Sequence, residues 1–452
     1  MATTDKDPSQ QTEFKLVSVV IESERLQTSG STPGIEVRQI TSDFEIYEHI
    51  DKPYLTARLL IVDTDNLLQD VDFLGGERIT FTIKSPKKES KPFTNTFYVT
   101  KITDSDKINN NAQSIVFHLI EDIGYFSNLQ FVNRSYSGRI PDIISKICFN
   151  FLDGKELNFT DEDYEQIKVI VPNLDPIDAM LWLTKKAKTK EGYPFYLYST
   201  LVKDKLQFHD LGTMLTQQVL NPTTPFISSS AAISSIDPNV RRKAILDHKF
   251  SEVADLFTLI QQGLIGSKYE FIDTLKEKRN NFHYDIIADL FKPLIDASIL
   301  KDRQKNPPMS PKFKFNEIPF QEHDATFTSV IGGSNQYRYT DENDFELGYS
   351  EQRQLSDYKA RVIGKSMDQI LRIEPLTMVV DGLDFIDGDK HSTIGNRINI
   401  EFPQTKMDEV SNTIDKRKSG DYLIFASRFF FKKERFDLAL TCVKLGNMKR
   451  NS

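Results

Sequence analysis

Leu60-Ile61-Val62-Asp63, then a polar spacer, then Gly76-Glu77-Arg78-Ile79-Thr80-Phe81 is one of two stretches that decide the fold. The other, far downstream, is Met378-Val379-Val380-Asp381, a spacer, then Gly395-Asn396-Arg397-Ile398-Asn399-Ile400. The Asp-to-Gly intervals are 13 and 14 residues. Both stretches read as an apolar strand, a spacer, a glycine turn and an alternating strand. A chain holding two copies of one β unit can supply two equivalent positions in a ring.

Working outward, the strand signal persists around both copies. Phe14 to Glu22, Phe44 to Glu48 and Tyr54 to Val62 are β-branched or alternating, and Arg78 to Lys84 sets Ile79, Phe81 and Ile83 on one face. Phe97 to Ile102 and Ser114 to Ile120 predict a hairpin around Asn109-Asn110-Asn111. In the second copy, Gln369 to Val380 is strand-like apart from Pro375, Tyr422 to Ala426 corresponds to Phe97 to Lys101, and Phe436 to Val443 corresponds to Ser114 to Ile120.

Between the copies the period changes. Ile140, Ile143, Ile144 and Ile147 have helical spacing, with Pro141 near the first turn. Asp175 is a natural N-cap before Pro176, and Phe195 to Tyr198 with Leu206 to Leu211 predicts a short hairpin. Two helices are expected at about 250–265 and 268–300, joined near Gly266, with strands resuming near Tyr358. The expected fold class is α+β, mainly antiparallel β: two similar tube-type β-barrel domains, an α+β insert and a partly helical middle region. The expected divisions are a disordered arm (1–12), a first β domain (13–128), the insert (129–215), the middle region (216–350), a second β domain (351–447) and a tail (448–452).

The chain has 452 residues, a net charge of −8 and 39% apolar content, a globular composition of several domains. The acidic balance argues against phosphate binding as its main business. Cys148 and Cys442 are too few for a disulfide framework and read as buried apolar residues. Met1 to Gln11 is polar and lacks the apolar core of a secretory signal, and no apolar run of the roughly 18 residues a membrane helix needs is present.

Little reads as chemistry. The seven histidines show no i, i+4 pair of the kind that holds zinc on a helix. Gly263-Leu264-Ile265-Gly266-Ser267-Lys268 lacks phosphate-loop spacing and reads as a turn between helices. The clusters Asp161-Glu162-Asp163 and Asp384, Asp387, Asp389 read as solvated loops, although the second has oxygen ligands suited to a cation. Arg241-Arg242-Lys243 reads as a solvated helix start. No cofactor is expected. From Phe425 to Phe431 one face is core, while Arg428 and Phe430 face the other way, which suits a subunit contact.

The residues Phe44-Glu45-Ile46-Tyr47-Glu48, Lys52-Pro53-Tyr54-Leu55-Thr56-Ala57-Arg58-Leu59 and Asp63 resemble the first tube domain of the baseplate central hub proteins of T-even-type contractile-tailed phages. Gly420 to Ile424, Arg428 to Phe431 and Phe436 to Leu440 resemble the closing hairpin of their second tube domain, and the Asp175-Pro176 helix with Tyr193 to Tyr196 is similar to their inserted domain. The likeness covers most of 14–215 and 355–447, and nothing in it matches 216–350. It implies a homotrimer whose six β domains make a pseudo-sixfold ring, adapting a sixfold tail tube to a threefold spike and leaving a channel for DNA. It further implies tube or tube-initiator, spike and other baseplate proteins as partners, location in the virion after synthesis in the host cytoplasm, and no catalysis. Arg78, Arg397, Arg428, Phe430, Tyr54 and Arg58 are the expected ring-interface residues. The hub of a contractile bacteriocin or a type VI secretion spike is the nearest variant; the latter kind usually carries the spike in the same chain and is disfavoured because no glycine-rich β-helix repeat follows the second β domain. A cell-wall glycan hydrolase, which needs two carboxylates across a cleft, is the alternative of another class.

Overall fold

The computed structural model describes the chain from Lys15 to Gly446 apart from short segments, the longest being 24–33, 65–72, 85–91, 301–313, 339–350 and 405–413. The expected arm and tail, and Asp161, Glu162, Asp163, Asp384 and Asp389, lie outside the described residues.

The first strands are β1 (Lys15–Glu22), β2 (Gly34–Glu36), β3 (Thr41–His49), β4 (Thr56–Asp63), β5 (Arg78–Lys84), β6 (Phe93–Asn109) and β7 (Ala112–Glu121). They lie in the order β3-β4-β7-β6-β5-β1-β2. Alternation sets one face: Ala57, Leu59 and Ile61 of β4 are buried, while Thr56, Arg58 and Leu60 are half-buried on the other side. The predicted hairpin closes at Asn109 opposite Ala112.

Next come α1 (Asp122–Ser127), β8 (Ser135–Arg139), α2 (Ile140–Phe151), β9 (Leu157–Phe159), β10 (Gln166–Ile170), α3 (Pro176–Thr184), β11 (Phe195–Tyr198), β12 (Leu206–Asp210) and α4 (Leu211–Thr216). Asp175 caps α3 as expected, accepting the Asp178 N–H at 3.0 Å. The face of α2 carrying Ile143, Ile144, Ile147 and Cys148 packs with Met180, Leu183 and Phe208 in a core of its own. Cys148 and Cys442 are both buried and free.

The middle region departs from expectation. It contains β13 (Phe226–Ile227), β14 (Asp247–Phe250), β15 (Ser267–Asp273), β16 (Lys278–Tyr284), the short pair β17 (Lys314–Phe315) and β18 (Ile318–Pro319), β19 (Thr326–Ile331) and β20 (Tyr337–Arg338). Where a helix was expected over 268–300, β15 and β16 form a hairpin, with β19 alongside β15 in parallel, and only the second part, from Ile286 to Asp296, is helical. Tyr269 and Tyr284 are buried there. The partner strand lies far along the chain, so local periodicity did not reveal it. The first expected helix shrinks to Leu256–Gln261. A second correction follows at Tyr358, where strands were expected. Instead α5 (Glu351–Leu371) is a helix, burying Met367, Ile370 and Leu371. Strand begins only after Pro375, which supplies no N–H and disfavours helix before it.

The last strands are β21 (Leu376–Asp381), β22 (Ile386–Asp387), β23 (Lys390–His391), β24 (Arg397–Glu401), β25 (Gly420–Lys432) and β26 (Arg435–Val443). Spatial order here is β21-β26-β25-β24, and in the first block it is β4-β7-β6-β5. Around the glycine turn the register agrees residue by residue. Arg78 lies opposite Tyr98 and Tyr98 opposite Ile120, as Arg397 lies opposite Leu423 and Leu423 opposite Val443. The register slips between Val99 and Lys101, and again between Ile424 and Ala426, so one bulge recurs in its place. Gly76 and Gly395 have φ of +85° and +78°, conformations that glycine tolerates without strain. The Gly76 N–H donates to Val99 O at 2.8 Å and the Gly395 N–H to Ile424 O at 3.0 Å.

One detail of the repeat is corrected. Leu59 faces Phe117 as Met378 faces Leu440, so Asp381 corresponds to Val62 and not to Asp63. The residue in the place of Asp63 is Gly382, 13 residues before Gly395, so the two intervals are equal. A Cβ on Gly382 would stand 1.9 Å from the Phe436 ring, so that position holds no side chain.

Candidate assembly interface

The two blocks join edge to edge. β3 pairs antiparallel with the distal half of β25, from His49 opposite Ala426 to Asp43 opposite Lys432. The sheet therefore runs without interruption from β14 through both blocks to β2. One face of it lies on a shared core that includes Tyr196 and Tyr198 of the insert and Met367 and Ile370 of α5. On that side of the join, Phe44 and Phe431 stack at 4.3 Å between ring centres.

Alternation places Phe44, Ile46 and Glu48 toward the core, so Glu48 is a carboxylate in an apolar position, 2% exposed. It accepts from the Leu201 N–H at 2.6 Å, the Thr393 hydroxyl at 2.6 Å and the Ser427 hydroxyl at 2.5 Å. One side chain thus ties together β3, β25, the β11–β12 connection and the turn before β24. Sequence reading passed over it. Its signal was the glutamate in phase with Phe44 and Ile46.

The opposite face carries a polar row. Reading across the strands, His118, Arg58, Glu45, Phe430 and Asp437 are successive register partners. Arg428 donates to both oxygens of Glu45, at 2.8–3.0 Å, and its guanidinium lies 4.1 Å from the Phe430 ring centre. Such forked pairs are stronger than single contacts. The Tyr47 hydroxyl also donates to Glu45. Burial raises the Glu45 pKa, but the hydrogen bonds from Arg428 and Tyr47 outweigh it, and the carboxyl is held below its ordinary value. Burial, with Glu45 beside it, pushes Tyr47 up to about 12.

Of the six residues singled out in the sequence, Arg428, Phe430 and Arg58 therefore meet on one face at the join. The other three lie elsewhere. Arg78 is exposed on β5, 3.4 Å from Glu22. Arg397, its counterpart, is enclosed by its own chain, donating to Leu215 O at 2.7 Å, Gln217 O at 3.2 Å and Asp421 at 3.0 Å. Burial lowers its pKa and Asp421 acts against that. Tyr54 precedes β4 and packs on the core of the insert.

At the end of the join, His49 accepts the Asp51 N–H through Nδ1 at 3.1 Å and meets Phe425 edge-on. Burial lowers its pKa, Asp51 opposes this, and Arg372 and Lys52 add to it. Between that lowered value and the ordinary one near 6.5, the unfolded chain binds a proton that the folded chain refuses. Its contribution is complete above about pH 6.5 and declines as the pH falls below it. From pH 7.5 to 5.5 the urea midpoint should fall more for the native protein than for His49→Gln, and equal falls would remove His49 as the cause.

A cavity of about 540 Å³ opens beside the join, lined by Asp51, Lys185, Tyr196, Asp368 and Arg372 among others. Its two carboxylates, Asp51 and Asp368, are both bonded to Arg372, at 2.7 and 3.0 Å. Tyr196 donates to Asp368 at 2.8 Å, which fastens α5 to the insert. Glu121 is raised by burial, with Lys155 acting against it, and it accepts from the Leu55 N–H at 2.8 Å. No group of three or more metal-ligating side chains occurs among the described residues, and no described helix is long and apolar enough to cross a membrane.

No protein-family model and no curated protein matches the chain. Two solved structures are similar to it over nearly their whole lengths. One is the tail protein from Neisseria meningitidis MC58, with a TM-score of 0.54, 12% identity, and coverage of 96% of this chain and 97% of that one. The other is the 43 kDa tail protein of prophage MuSo2 from Shewanella oneidensis, with a TM-score of 0.50, 9% identity, and coverage of 94% and 98%. At such identities the likeness is one of fold, and the fold is that of these phage tail proteins.

Proposed function

We propose that this chain is a structural hub protein of a contractile phage tail baseplate, assembling as a homotrimer around a central channel. The observation that carries the reading is the repeated register of the two blocks, together with their edge-to-edge joining through β3 and β25. Two alike blocks per chain give three chains six alike positions. Such a ring matches a sixfold tail tube on one side and a threefold spike on the other.

The two faces of the sheet support the orientation. The insert and α5 cover one face, so the uncovered polar face lines the channel. Its charges are compensated in place, Arg428 against Glu45 with Arg58 alongside. A lining of compensated charge lets DNA pass without gripping it. The partners in this reading are the tail tube or its initiator, the spike and other baseplate proteins. The protein is made in the host cytoplasm and resides in the virion, where it serves genome ejection and performs no catalysis.

Light scattering of the purified chain, with sedimentation velocity alongside, tests this. The expected mass is three times the 52.0 kDa of one chain. A monomer persisting at high concentration would count against the ring. Lysis of peptidoglycan by the pure protein, abolished by one carboxylate substitution, would replace the structural reading with the hydrolase.

A further inference from the structure

The cavity beside the join lies where three parts of one chain meet: the turn after β3, the end of α3 with the segment leading into β11, and α5. Its volume of about 540 Å³ falls within the roughly 300–1,000 Å³ usual for small-molecule sites. The walls are mostly apolar, with Ile50, Leu181, Phe195 and Ala360 among them. Among the described residues, five cationic side chains line it against two carboxylates, in a chain whose net charge is −8. Arg372 bonds both carboxylates, so the excess positive charge rests on the lysines. Two of them, Lys185 just past α3 and Lys365 on α5, are exposed and form no ion pair among the described residues.

The walls are fixed in place. A Cβ on Gly364 would stand 2.8 Å from Gly192 O, and one on Gly192 would stand 2.8 Å from Ala360 O, so α5 and the turn before β11 touch through their backbones. Tyr196 holds Asp368 of α5, and Arg372 holds Asp51 at the end of the join. A site assembled before its ligand arrives loses less freedom on binding.

We infer that this cavity binds a small organic anion with an apolar body, an aromatic or aliphatic acid, whose oxyanion meets Lys185 and Lys365 while its body lies on the apolar walls. A charge-assisted bond to an ammonium supplies direction, and the walls supply burial. The volume suits one such molecule, whereas a protein partner would cover a surface of about 800 Å². All of the lining comes from a single chain, so the site goes beyond the ring reading and does not depend on it.

Two probes test this in the full-length protein: anilinonaphthalene sulfonate, an aromatic anion that fluoresces in apolar surroundings, and its uncharged counterpart phenylnaphthylamine. The native protein is compared with three double variants. Lys185→Ala with Lys365→Ala removes the proposed anion contacts. Lys185→Arg with Lys365→Arg keeps the charge. Lys146→Ala with Lys249→Ala removes the same charge from exposed positions outside the cavity. The expected result is one sulfonate bound per chain, with affinity about tenfold weaker in the first variant, the scale of two partly exposed ion pairs. The arginine and control variants should bind it as the native protein does, and the uncharged probe should bind all four alike. Absence of sulfonate binding to the native protein overturns the site. So does unchanged affinity in the first variant, or an equal loss in the control. An equal loss for the uncharged probe overturns anion recognition by the two lysines.

Discussion

Replacing Glu48 with alanine should lower the unfolding free energy by about 3–5 kcal/mol, since three donors lose their acceptor inside the join and each buried orphan costs roughly 1–3 kcal/mol. The donors are the Leu201 N–H and the hydroxyls of Thr393 and Ser427. They come from three segments, so the loss loosens β3 from β25, the β11–β12 connection and the turn before β24 together. Glu48→Gln keeps the shape but brings an NH2 among donors, so about half the loss should remain. Guanidinium unfolding followed by circular dichroism measures both. A loss under about 1 kcal/mol for Glu48→Ala, the scale of one ordinary hydrogen bond, would show that the carboxylate is incidental to the join.

The second large effect separates two residues that occupy one place in the repeat. Arg397→Met should cost about 3–5 kcal/mol, because it removes a buried cation that bonds Asp421 and two backbone carbonyls. Those carbonyls belong to Leu215 and Gln217. Arg78→Met should change stability by no more than about 1 kcal/mol, the range of an exposed ion pair. Its contact with Glu22 is of that kind, with Arg78 51% exposed. Equal costs at the two positions would contradict the burial described here. The repeat therefore preserves backbone geometry while the two side chains do different work.

Much of this was legible in the sequence because it depends on neighbours along the chain. The alternation of Thr56 to Asp63, the glycine turns at Gly76 and Gly395 and the Asp175 cap are local signals, and all appear in the fold. The failures share one cause. The strands from Ser267 to Tyr284 need β19 beside them, and no short window contains it. Glu351 to Leu371 is helix where a strand is expected, because the apolar and β-branched residues on both sides of Pro375 read as one element. Asp63 and Asp381 look alike as letters, yet they fall on opposite faces once the register is known, because a shift of one residue reverses every side chain of a strand.

The six residues expected at a ring interface divide in the same way. Arg428 and Phe430 were recognised by phase alone, facing away from an apolar strand side. Phase could not reveal Glu45 as the partner of Arg428, since they are 383 residues apart. Nor could it reveal that Arg397 is enclosed, because Leu215 of α4 and Gln217 just after it, which accept from it, lie in a different part of the chain. The sequence by itself determined most strands of the two β units, which face of each is apolar, and that the unit occurs twice. Only the tertiary structure decided that the two units share one sheet through β3 and β25 and that Glu48 is the knot holding them. Periodicity acts through adjacent residues, whereas pairing and enclosure are contacts between segments that only folding brings together.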